Sequence, residues 1–152
     1  MSALPLLIVL LAALPDGWRE PRPLKDNSCA KETSYEVHGD LDGDGIEDTA
    51  RLLARKDRQM LALFVWLGTQ PPMLIESFGV YDDGLHRLSI GLQPGGFTFP
   101  TWCGRAEYCE EGQPAWVKLE HPTVALITCE ASMSYLQWRP KTKKFRWVLM
   151  SD

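Results

Sequence analysis

Met60 to Leu67 reads Met-Leu-Ala-Leu-Phe-Val-Trp-Leu, eight residues without a polar side chain. Successive side chains of a strand point to opposite faces, so a run that is apolar at every position makes a strand covered on both sides. Gly68-Thr69-Gln70-Pro71-Pro72 stops it. The rest of the chain supplies the covering layers as further short runs between turn signals: Thr49–Arg55, Met73–Val80, Leu88–Leu92, Ala115–Glu120, Thr123–Cys129, Ser134–Trp138 and Phe145–Met150. No stretch keeps a helical period over three turns. Seven to nine short strands in 152 residues predict an all-β fold, a single-domain antiparallel sandwich or open barrel.

One segment is built for a different task. Asp40-Leu41-Asp42-Gly43-Asp44-Gly45-Ile46-Glu47-Asp48 places carboxylates at positions 1, 3, 5 and 9 of a glycine-containing loop. A hard divalent cation such as Ca²⁺ takes six to eight oxygen ligands, and this spacing supplies most of them. Gly43 and Gly45 accept the backbone angles a tight wrap demands. Four carboxylates held this close repel one another, which a bound cation relieves. An EF-hand would add a bidentate Glu at position 12, where this chain has Arg51, and an exiting helix, where it has the strand-like Thr49–Arg55.

With Asp at position 9 and a strand following, the loop resembles the D-x-D-x-D-G-x-x-D calcium loops of integrin-type (FG-GAP) and VCBS-type β repeats. The likeness runs from Asp40 to about Leu53. It implies that Asp40, Asp42, Asp44 and Asp48 ligate through side chains and Ile46 through its carbonyl. The propellers of those families need one such loop in each of several blades. This chain has one loop, so the loop chemistry alone carries over.

Leu4 to Leu14 is an apolar run that ends at Pro15-Asp16-Gly17. A membrane-spanning helix needs about twenty apolar residues, whereas this length suits a signal-peptide core. Residues 1–15 are therefore expected to be a signal peptide, 16–34 an extended N-terminal segment with Pro21 and Pro23, and 35–152 the calcium-binding β domain, with structure beginning near Tyr35. No Lys or Arg precedes the run, which departs from the usual positive start of such peptides.

An exported chain, periplasmic or extracellular, changes the reading of Cys29, Cys103, Cys109 and Cys129. An oxidising compartment favours disulfides, and no C-x-x-C pair offers a zinc site. Four cysteines allow three pairings. A local Cys103–Cys109 bridge is the simplest, and Cys29 with Cys129 would then follow.

The formal charge of -4 argues against a nucleic-acid groove. The basic cluster Lys141, Lys143, Lys144 and Arg146 reads as a solvated hairpin turn. His38, His86 and His121 fall in different elements. His38 precedes the acidic loop, but calcium prefers oxygen. No nucleophile elbow, phosphate-binding glycine loop or H-E-x-x-H is present. The expectation is a protein that is not an enzyme.

Trp66, Trp102, Trp116, Trp138 and Trp147, with Tyr81, Tyr108 and Tyr135, exceed the needs of a small core, and aromatic residues on disulfide-held loops make protein-binding hot spots. In organisation the chain resembles small periplasmic inhibitors of lysozyme-like enzymes, including immunity proteins against peptidoglycan-cleaving toxins. That resemblance implies a protein partner, a cell-wall hydrolase or toxin, engaged by a loop inserted into its cleft. Gln93–Gln113 is the candidate, with Trp102, Glu107, Tyr108 and Glu110 as contact residues. Two other readings stand beside it: a calcium-stabilised module binding envelope glycan or protein, and a hydrolase using Glu130 or Asp83.

Overall fold

A computed structural model describes residues 13–22, 34–79, 87–106, 109 and 111–151. Among the described residues eleven strands and one helical turn follow one another: β1 (Trp18–Arg19), β2 (Glu36–Gly39), β3 (Asp48–Arg55), β4 (Met60–Trp66), β5 (Met73–Gly79), β6 (Leu88–Gln93), β7 (Phe97–Pro100), α1 (Trp102–Arg105), β8 (Trp116–Leu119), β9 (Thr123–Thr128), β10 (Ser132–Arg139) and β11 (Lys144–Ser151). The architecture is an all-β sandwich of antiparallel sheets with no closed barrel.

The first sheet runs β1-β3-β4-β5, with β2 also on β3. β2 and β1 share one edge of β3: Val37 lies opposite Ala50 near its start, and Trp18 opposite Arg55 at its end. β4 is the interior strand that its unbroken apolar run requires, and Leu61 to Trp66 are all buried. Its alternation divides two cores. Leu63 and Val65, with Ala50 and Leu52 of β3, face the second sheet and meet Ile90, Val124 and Leu136. Ala62, Phe64 and Trp66, with Leu53, face away and are capped by Trp18.

The second sheet runs β11-β10-β9-β6 and is also covered twice. Its far face carries Ala125, Tyr135, Val148 and Met150, on which the separate β7-β8 hairpin lays Val117 and Leu119. The two large sheets are joined at the start of β2, where the Ile90 N–H donates to Ser34 O and the Leu52 N–H to Tyr35 O.

Described structure thus begins well before Tyr35. The Pro15-Asp16-Gly17 stop is a formed turn, with the Trp18 N–H on Pro15 O and the Lys56 N–H on Gly17 O. The driving force is apolar: the outer face of β3 and β4 is greasy, and Trp18, 8% exposed, is what covers it. The candidate partner-binding stretch Gln93–Gln113 contains β7 and α1.

Candidate functional site

Asp40, Asp42 and Asp48 each offer a carboxylate oxygen within 4.8 Å of the others, a group able to hold a cation. The loop reaches this arrangement by spending its own backbone donors on its own carboxylates. Gly43 N–H donates to one oxygen of Asp40 at 2.7 Å and Gly45 N–H to the other at 2.9 Å. Asp44 N–H bonds Asp42 at 3.1 Å and Ile46 N–H bonds Asp44 at 2.7 Å, so each Asp turn hands the chain on to the next. Gly43 and Gly45 stand at φ of 81° and 84°, the left-handed region where a side chain is strained.

Asp48 is different in kind. It is 1% exposed, at the first position of β3, and both its oxygens are held: Leu41 N–H donates to Oδ2 at 2.7 Å and Gly68 N–H to Oδ1 at 2.8 Å. The side chain therefore ties the start of the loop to the end of β4, twenty residues on. Burial pushes the Asp42 carboxyl above its usual value, and the charges of Asp48, Asp44 and Asp40 push the same way, against the Asp44 N–H. A cation placed among these groups would reverse that push.

Asp44 is exposed and outside the close group, and Ile46 is 55% exposed. His38 turns its ring to Thr49 at 3.1 Å and Glu36 at 2.6 Å, away from any role in the carboxylate group. His121 lies over the loop instead. A Cβ on Gly43 would fall 2.7 Å from its Nδ1 and closer still to Cε1 and Nε2. Gly43→Ala is therefore expected to lower stability by about 2 kcal/mol, part from the backbone angle and part from the ring. In a His121→Ala background the penalty should fall to about 1 kcal/mol, the backbone share alone. Denaturant unfolding of the four chains measures both; equal penalties would place the whole effect in the backbone.

At the far side of the second sheet, Cys103 and Cys109 are bridged, with Cα atoms 5.0 Å apart. Cys129 is disulfide-bonded as well, and Cys29 lies outside the described residues. The bridge pins α1, whose Thr101 cap accepts Gly104 N–H and donates to Pro114 O. Beside it two aromatic side chains reach solvent, Trp102 at 37% and Trp116, opposite Pro100, at 62% exposed; Phe97, 52% exposed, stands at the other end of β7, opposite Leu119. Trp116 follows from alternation in β8, where Val117 and Leu119 take the inward positions. Of the other contact residues expected from the sequence, Glu107, Tyr108 and Glu110 lie outside the described residues, as do Asp83 and His86. Glu130 is exposed at φ 58° in the tight turn between β9 and β10, where Ala131 N–H closes on Thr128 O.

Among families of known proteins, characterised proteins and solved structures, none matches this chain.

Proposed function

We propose that this is an exported, calcium-stabilised binding protein whose aromatic, disulfide-held end engages another protein, with a peptidoglycan-cleaving, lysozyme-like enzyme or toxin as the target it would inhibit. The observation that carries the reading is the exposure of Trp102 and Trp116 beside one disulfide-pinned turn. Large apolar side chains held rigid in water lose little conformational freedom on docking, and such anchors dominate binding energy. Calcium acts at a distance from that end. It neutralises the Asp40, Asp42 and Asp48 carboxylates and fixes the joint between β2, β3 and β4.

Two experiments test the two halves. Replacing Trp102 and Glu107 by Ala should abolish inhibition of, and binding to, the susceptible enzyme in a panel of cell-wall hydrolases; undiminished affinity would sink the contact assignment. Retention on insoluble peptidoglycan without capture of any enzyme would favour the glycan-binding alternative instead. For the metal, the oxidised chain should melt about 5–10 °C higher in calcium at a hundred times its dissociation constant than in chelator, since such binding adds about 2.7 kcal/mol. Asp44→Ala should remove most of that rise. A melting temperature indifferent to calcium would reduce the acidic loop to a turn.

A further inference from the structure

A cavity of about 310 Å³ opens beside the acidic loop, with Leu41 and His121 in its lining. Its lining is cationic in a chain that is acidic overall. Lys118, Arg139, Lys141 and Arg146 all contribute to it, together with His121. Glu120 is the one carboxylate in the lining, and it is engaged by Lys118 at 3.4 Å. Arg139, Lys141 and Arg146 have no carboxylate partner among the described residues.

The sheet register explains why these charges converge. Gln137 of β10 lies opposite Arg146 of β11, and Arg139 is two residues beyond Gln137 on the same face. That is the face which, one turn of the pleat back, carries Tyr135 and Val148 under the β7-β8 hairpin. Where the hairpin ends, the apolar contact stops and the basic positions begin. Gln137 fixes the geometry from both ends: its amide donates to Lys118 O at 2.9 Å, and its carbonyl accepts Arg146 Nε at 2.9 Å. Arg146 is thereby held half-buried, and among the described residues its terminal nitrogens meet no carboxylate. Burial pulls its guanidinium below the usual value, and the Arg139 charge adds to the pull. Two guanidiniums kept together without a carboxylate are an arrangement that an anion would stabilise.

We propose that this cavity binds the oxyanion, carboxylate or phosphate, of a small organic molecule, with Arg139, Lys141 and Arg146 clasping the charge and Pro140 and Leu41 contacting the organic body. The volume sits at the lower end of ligand pockets, room for one charged group and a ring-sized remainder. The site is separate from the aromatic end and does not require metal in the acidic loop, although Leu41 and His121 are walls of both places.

Titrating the full oxidised chain with inorganic phosphate, phenyl phosphate and benzoate, followed by amide and arginine side-chain NMR shifts, tests it. The expected result is saturation in the millimolar range or tighter by at least one of them, with shifts confined to Leu41 and residues 118–123 and 137–146, and no saturation by neutral phenol. Phenyl phosphate exceeding benzoate assigns a phosphate ligand, and the reverse a carboxylate. Arg146→Gln should weaken binding about tenfold, the loss of one charge-assisted contact. Because Arg146 is half-buried, Lys141→Gln, on the exposed hairpin, provides a second variant that leaves the sheet untouched and should weaken binding several-fold. Absence of saturation by all three anions, equal binding of phenol, or unchanged affinity in a folded Lys141→Gln and Arg146→Gln pair would overturn the proposal.

Discussion

Asp48→Ala lowers the unfolding free energy by about 2–4 kcal/mol even in chelator, and leaves a chain whose melting temperature no longer responds to calcium. The size follows from what the carboxylate holds. With Ala in place, Leu41 N–H and Gly68 N–H lose their acceptors at a site where Asp48 is 1% exposed, and each unsatisfied buried donor costs about 1–3 kcal/mol. Asp44→Ala is the comparison that separates structure from metal binding. Asp44 is exposed and accepts only the bond from its near neighbour Ile46, so its loss in chelator should stay within about 0.5 kcal/mol. In calcium Asp44→Ala should fall below wild type by little more than the stabilisation the ion provides, and Asp48→Ala by that amount plus its loss in chelator. Urea unfolding of the three chains, each with calcium and with chelator, gives all six values. If Asp48→Ala matched Asp44→Ala in chelator, the buried carboxylate would be a ligand and not a structural tie.

Asp48, a proposed ligand and a structural tie, marks the boundary of what could be read from the chain. Its place in the D-x-D-x-D-G-x-x-D spacing is visible to the eye, because ligand geometry is local and the loop closes on itself. Its bond to Gly68 is not, since that depends on β3 and β4 pairing in one particular register. The same division holds across the fold. β4 was legible because burial on both faces removes every polar residue, and β8 to β11 because alternation and turn residues are local signals. β1 was not, because two residues carry no period, and Trp18 sits among Pro and charged residues that suggest solvent. β7 was hidden by the neighbouring Gly95-Gly96 and Pro100, which read as irregular chain. The basic hairpin shows how register misleads. Lys141 to Arg146 looks like a solvated turn, and Lys143 and Lys144 are exposed, yet Arg146 stands opposite Gln137 and is drawn into a cavity. Trp116, by contrast, was there to be found: strict alternation in Trp-Val-Lys-Leu puts Val117 and Leu119 in the core and leaves the indole outside.

Trp18→Ala is expected to be the most damaging single core substitution outside the sandwich centre, lowering stability by about 3–5 kcal/mol and the melting temperature by roughly 6–20 °C. The indole meets Phe64 edge-on with ring centroids 5.0 Å apart, and the Arg55 guanidinium lies 5.1 Å from its own ring centre. Removing it opens the outer faces of Leu53, Ala62, Phe64 and Trp66 to water, because β1 is only two residues long and supplies no other large apolar cover. Arg19→Ala, on the same short strand, keeps the pairing to Ala54 and should change stability by about 0.5 kcal/mol at most. The contrast matters for export. If residues 1–15 are a signal peptide, cleavage has to leave Trp18 on the mature chain, so the N terminus of the secreted protein should lie at or before it. A chain beginning at Asp16 loses Leu14 from the outer cluster and the Pro15 acceptor but keeps the indole, so it should stay well above one beginning at Lys25, which should fall with Trp18→Ala. Equal stability of the chains starting at Asp16 and Lys25 would show that the outer face of β3 and β4 is protected by something other than this indole.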